Sequence, residues 1–176
     1  MRDRYFSMYQ SIKYKECFYA AHQEKARKLY SAYTIIMAML SIFSVLLWSI
    51  SKTLPLLWAV VIAAAQFAQA LSSYLPWAKQ LGALQYLMPE LAQLLLDIDH
   101  DWLALDLNRY PDARILKLIS VYEGRFEALE KQFANDVDFA RTKGILKKAE
   151  LDQRTYFYIR YPEIKEMERR ETVDVR

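Results

Sequence analysis

The chain has 176 residues and a formal net charge of +3, with apolar residues at 54% and charged residues at 26%. So mild a charge does not by itself imply a nucleic-acid partner. A single cysteine, Cys17, excludes an intrachain disulfide, and three scattered glycines make no phosphate-cradling loop. Mean hydropathy is close to zero, at −0.08, because the charges are segregated from the apolar runs. Abundant leucine, alanine, lysine and glutamate favour helix throughout. The expected class is all-α: a two-span transmembrane helical hairpin, an N-terminal amphipathic helix and cytoplasmic C-terminal helices.

Residues 4–29 read as an amphipathic helix carrying Tyr5, Phe6, Tyr9, Ile12, Cys17, Phe18 and Ala21. No Gly or Pro separates it from the apolar run that follows, so it can continue straight into that run. Aromatic residues interleaved with Lys13, Lys15 and Lys25 suit a headgroup surface or a single-stranded nucleic acid, and equally packing against the rest of the chain. The first long apolar run starts too late for a cleavable signal peptide, and no small-residue cleavage signature follows it.

Between Lys28 and Lys79 there is one charge, Lys52. It divides the apolar run into residues 33–50 and 54–74, each with about the 17–25 residues a helix needs to cross hydrocarbon. Ser51-Lys52-Thr53 is a short polar turn, and Pro55 suits the first turn of a new helix. The competing reading is a buried soluble hairpin, but soluble core helices of this length usually carry charge on some face. A hairpin places Tyr30, Tyr33, Tyr74 and Trp77 at one interface and Trp48 and Trp58 near the other, the pattern of aromatic belts. Arg2, Arg4, Lys13, Lys15, Lys25, Arg27 and Lys28 precede the spans, against Lys52 alone in the turn. Both termini are therefore expected in the cytoplasm.

Each span has a polar or small face. Ser41, Ser44, Trp48 and Ser51 share one face of the first, and Ala59, Ala63, Gln66, Gln69, Ala70 and Ser73 roughly one face of the second. Glutamine in hydrocarbon needs a partner or water. These residues read either as interhelical packing glue or as the uncharged wall of a water-filled path. One hairpin cannot enclose a path, so the second reading requires several copies. The candidate pore-lining residues are Ala63, Gln66, Gln69 and Ser73, with Trp48 as a gate or outer anchor.

After Trp77 the apolar positions are helical: Leu81, Leu84, Leu87, Leu91, Leu94, Leu95, Ile98, Trp102 and Leu105, with Pro89 expected to kink or end a first segment. Residues 108–112 are a break. Ile115, Ile119, Tyr122, Phe126, Leu129, Phe133, Val137 and Ala140 then make a coiled-coil-like seam, and the expected outcome is an antiparallel helical pair. Arg141, Lys143, Lys147, Lys148 and Arg154 form a basic cluster, followed by Tyr156, Tyr158 and Arg160. That mixture suits stacking on and neutralising a nucleotide or oligonucleotide, and equally a short strand or helix docked on the domain. The organisation expected is 1–32 amphipathic helix, 33–76 hairpin, 77–162 cytoplasmic helical domain and 163–176 charged tail.

Asp97-Ile98-Asp99-His100-Asp101 is the one cluster suggestive of metal, but a site needs further ligands and His22 is far away in sequence. A solvated helix face is the expected account. There is no CxxC, no nucleophile elbow and no paired His/Cys constellation. The sequence therefore argues against an enzyme: no catalytic residue, metal or cofactor is expected.

The order of elements carries a family resemblance. Glu24-Lys25-Ala26-Arg27-Lys28-Leu29 runs into residues 31–51, and the span 54–77 is followed by a leucine-rich amphipathic helix. Over about residues 13–107 this resembles the SLATT family of two-span bacterial effectors, in architecture and texture rather than in a sharp motif. The resemblance implies a homo-oligomeric pore, a tetramer favoured, in the bacterial inner membrane. It would permeabilise that membrane during abortive infection by phage, under control of a nucleotide signal made by a partner nucleotidyltransferase. Related systems of the Hailong type hold the membrane effector shut with a single-stranded DNA oligomer. The alternative is a non-conducting membrane anchor that recruits a cytoplasmic partner through its helices.

Overall fold

The computed structural model describes the backbone of residues 1–50, 55–107 and 110–163, and within these all side chains except those of 44–50, 55–58, 73 and 106. Regular structure among the described residues is entirely helical: α1 (Arg2–Ile50), α2 (Pro55–Leu71), a 3-10 turn (Ser72–Tyr74), α3 (Pro76–Asp106), α4 (Asp112–Leu129), a π turn (Glu130–Ala134) and α5 (Lys143–Arg160). The expected all-α class is what these residues form. The chain divides into two compact units, one containing Met1–His22 and the residues from Leu84 onward, the other Gln23–Ala83.

The local reasons are simple. No Gly or Pro interrupts the 49 residues of α1, so the amphipathic start and the first apolar block form one helix, as the sequence allows. Pro55 and Pro76 open α2 and α3, where a missing N–H costs nothing. Extended Pro111 (φ −71°, ψ 155°) precedes α4, and Asp112 stands in its first turn, the favourable end of the helix dipole for an anion. Pro89 lies inside α3 without ending it.

In the first unit the leucine spacing of α3 is the core. Leu84, Leu87, Leu91, Leu94, Ile98 and Leu105 are buried, together with Ile115, Ile119, Tyr122 and Phe126 of α4. Tyr5, Met8, Tyr9, Ile12 and Phe18 of α1 belong to the same cluster, as do Ile145, Ala149 and Phe157 of α5. The unit is thus built from four helical segments rather than the expected pair. The seam on α4 stops early: the helix gives way to a π turn at Glu130, Val137 is half-buried outside any helix, and Ala140 is exposed. Asn135 and Asp136 sit where the helix fails, and their short polar side chains compete for backbone hydrogen bonds. Extended Thr142 then precedes α5, an 18-residue helix where the sequence suggested a short docked element.

The second unit holds the later part of α1, α2 and the 3-10 turn. The Tyr33 hydroxyl donates to the Ala68 carbonyl at 2.7 Å, and the Tyr33 and Trp77 rings lie 5.6 Å apart. Its apolar side chains face outward: Ile35 is 58% exposed, Ile42 62%, Val60 61% and Phe67 67%. One helical run among the described residues, Ala59–Leu105, contains an 18-residue window long and apolar enough to cross a membrane, and none of that window is buried. Residues 51–53, where a turn is expected, the side chains of Ser44, Trp48, Trp58 and Ser73, and the residues from 164 onward lie outside the described residues.

Candidate functional site

The first candidate is a groove of about 840 Å³ between α1 and α2. From α1 it takes Tyr30, Tyr33, Thr34, Met37, Ala38 and Ser41, and from the other wall Ile62, Ala65, Gln66, Gln69 and Ser72. Helical periodicity puts Thr34, Met37 and Ser41 on one face and Ile62, Ala65, Gln66 and Gln69 on another. Of the two stripes read from the apolar blocks, Ser41 of the first and Gln66 and Gln69 of the second line the same groove. Of the expected pore-lining residues, Gln66 and Gln69 line the groove, and Ala63 is exposed outside its wall. Ser73 and the proposed gate Trp48 have side chains outside the described residues.

Sequence reading missed Thr34 and Ser72. Thr34 is seven residues before Ser41, the spacing that places it on the same stripe. Both hydroxyls are satisfied within their own turns: Thr34 Oγ1 donates to the Tyr30 carbonyl at 2.9 Å and Ser72 Oγ to the Gln69 carbonyl at 2.6 Å. Such local bonds let hydroxyls sit in an apolar helix at low cost.

The second candidate is the acidic run of α3, where the expected solvated face holds for His100 and in part for Asp97 but not for Asp99 and Asp101. Asp99 is buried at 9% exposure. It accepts from Tyr9 at 3.1 Å and Tyr161 at 3.0 Å, and it forms an ion pair with Arg160. Tyr9 and Tyr156 share a 2.9 Å hydrogen bond, and the Lys13 ammonium lies 4.0 Å from the centre of the Tyr156 ring. Asp101 accepts from Tyr122 at 2.6 Å and Tyr110 at 3.3 Å, and Asp97 pairs with Arg125 at 2.9 Å. On the same principle Glu130 accepts from Tyr19 at 2.6 Å and Lys15 at 2.8 Å.

The electrostatics follow from these contacts. Burial pushes the Tyr9 phenol well above the ordinary tyrosine range, and the bond to Tyr156 adds to it. Burial also raises Tyr161, with the Asp99 charge adding, and Tyr122, with the bond to Asp101 adding. The hydrogen bond to Asp99 raises Arg160. The chemistry available here is the holding of protons: the raised phenols keep theirs and donate to the carboxylate oxygens. Among the described residues no group of three or more His, Cys, Asp or Glu side chains could hold a metal ion.

The third candidate is the basic surface of α5 together with Arg141, which precedes it. Arg141, Lys143, Lys147 and Arg154 are exposed, and Arg154 pairs with Glu150 at 3.1 Å. Lys148 and Tyr158 are half-buried and engaged in contacts within the chain. Tyr156 and Arg160 belong to the Asp99 network, so the structure separates the expected ligand residues into an outward cationic group and an inward docking group. Against known proteins, the chain matches no family model, no curated protein and no solved structure.

Proposed function

We propose that this protein is a two-span membrane protein that assembles as a homo-oligomer and conducts ions when opened. The observation that carries the reading is the second unit's surface. Contiguous large apolar side chains are exposed on α1 and α2, where soluble monomers rarely leave such patches, while glutamine and hydroxyl groups gather in one groove between them. Lipid suits the first feature. Water, or the polar groups of neighbouring copies, suits the second, because an amide in hydrocarbon is costly without either.

The conducting wall then comes from both spans: Thr34 and Ser41 of α1 with Gln66 and Gln69 of α2. A toxic pore in the bacterial inner membrane, released during phage infection and controlled by a nucleotide or DNA oligomer, is the setting the SLATT resemblance suggests. The exposed cations of α5 are the surface such an anion would meet. A ligand that binds shut and open forms unequally moves the balance between them.

The test is ion leakage in living cells. Wild type expressed in bacteria is expected to collapse membrane potential and arrest growth, and Gln66→Leu to accumulate in the membrane without doing so. Unchanged potential with wild type would replace the channel with a non-conducting anchor.

A further inference from the structure

We propose that the groove between α1 and α2 holds an acyl chain of an anionic phospholipid, with its headgroup at the Tyr30 end. The inference rests on the membrane reading and names a ligand for the same groove. Length is the first argument. Tyr30 to Ser41 spans eleven helical steps, about 16 Å at the α-helical rise, and one leaflet contributes about half of a hydrocarbon core roughly 30 Å thick. The groove runs the depth of one leaflet.

Most of its polar groups lie toward one end and most of its apolar ones beyond them, the order in which a lipid changes. Tyr33 bonds to Ala68, so by helical register Tyr30 lies toward Ser72 and Ser41 toward Ile62. Of the lining residues, Tyr30, Gln69 and Ser72 therefore gather at one end, which we take as the mouth. Gln66 comes a turn further in, and Met37, Ala38, Ile62 and Ala65 lie beyond it, with Ser41 at the far end. The two alanines leave the width a hydrocarbon chain needs. Tyrosine at the mouth suits the boundary between hydrocarbon and headgroup.

Charge decides the headgroup. Arg27 is three residues before Tyr30 and seven before Thr34, on the same α1 stripe, and it is exposed. Lys28 beside it is also exposed and pairs with Glu24 at 2.7 Å. A cation one turn beyond the mouth favours a phosphate without a compensating ammonium. Hydrocarbon and water exclude each other from this groove, so the lipid is the occupant of the non-conducting form.

The experiment uses the full chain in nanodiscs of phosphatidylcholine alone or mixed equally with phosphatidylglycerol. Retained lipid is counted by native mass spectrometry, and incorporation and helicity are recorded first for every variant. Wild type is expected to retain phosphatidylglycerol about fivefold over phosphatidylcholine, the change one basic residue near an anionic surface carries. Arg27→Gln should keep lipid but lose the preference. Ala65→Trp, which fills the floor, should lose retained lipid of both kinds; Ala38→Leu repeats that arm with a smaller side chain should the first variant misfold. A protein that incorporates but retains both lipids equally, or retains them unchanged in a folded groove-filled variant, overturns the site and leaves the membrane reading standing. A chain that does not incorporate overturns both.

Discussion

Asp99 is the residue on which the first unit's polar chemistry converges. Three donors from two places in the chain, Tyr9 and the adjacent Arg160 and Tyr161, end on one buried carboxylate. Asp99→Ala leaves them without an acceptor and is expected to cost about 2–3 kcal/mol, the usual penalty for stranding buried hydrogen-bonding groups. Asp99→Asn keeps one oxygen and should cost less. His100→Ala, one residue away on an 84% exposed side chain, should stay within about 0.5 kcal/mol of wild type. Denaturant unfolding followed by circular dichroism ranks the three, and equal losses at 99 and 100 would remove Asp99 from its place. The tyrosines make a second prediction. Burial, with nearby acids adding, holds Tyr5, Tyr9, Tyr19, Tyr122 and Tyr161 above their ordinary value of 10.0, and burial pushes the Cys17 thiol from 9.0 up to about 12. A raised folded-state pKa means that the native state keeps its proton after the unfolded state has lost it. Stability from these groups is therefore complete below pH 9 and falls with each step above it. Unfolding midpoints should be flat towards neutral pH and decline from about pH 9–10 upward, with tyrosinate absorbance appearing together with loss of helix rather than before it.

The elements differ in how far their sequences announce them. The core stripes of α3 and the first half of α4 are written in the local spacing of Leu84, Leu87, Leu91, Leu94 and Ile98 and of Ile115, Ile119, Tyr122 and Phe126. A helix face is a local property, and periodicity reports it directly. What such spacing cannot report is the partner. Arg160 meets Asp99 from 61 residues away and Tyr156 meets Tyr9 from 147, so an acidic run that looks solvated is instead the floor of a docking site. The same blindness hides α5, whose buried stripe is only Ile145, Ala149 and Phe157 amid strong charge. Ser41, Gln66 and Gln69 of the groove were legible, because serine and glutamine stand out in apolar runs, but that they line one groove with Thr34 and Ser72 was not. The two sides of α5 also make separable predictions. Arg160→Ala and Tyr156→Phe act on the inward side and should lower stability. Lys143→Ala and Lys147→Ala act outside and should leave stability within about 0.5 kcal/mol. If the outer cations meet an oligonucleotide, these two variants will weaken single-stranded DNA binding and flatten its dependence on salt by roughly 0.7 in logarithmic slope per lost phosphate contact. Binding that is indifferent to salt and to both lysines would take the anion away from this face.

At the scale of the whole molecule the question is what covers Ile35, Ile42, Val60 and Phe67. Burial of a fully exposed large apolar side chain is worth about 1.5–3 kcal/mol, so several left in water on two helices amount to a driving force comparable with the stability of a small domain. Something must remove that surface from water, and the two possible coverings behave differently. Protein-only coverage gives an assembly that is stable without detergent, whose size stays fixed when membranes are washed away. Lipid coverage gives a chain that sediments with membranes, survives alkaline carbonate and high salt, and needs detergent for release. The sequence favours the second outcome, since the charged side chains that would solubilise a free helical pair are missing from residues 33–43 and 59–72 and their few polar groups gather in the groove. The expected result is therefore retention in the carbonate-washed pellet, with a discrete oligomer after mild detergent release and chemical cross-linking. Ile35→Asp paired with Val60→Asp should shift the chain out of the membrane fraction, whereas Asp99→Ala should leave it there and reduce stability alone. Recovery of wild type as a detergent-free species in the high-speed supernatant would assign the apolar surface to contacts between copies in water and remove the basis for both the channel and the lipid groove.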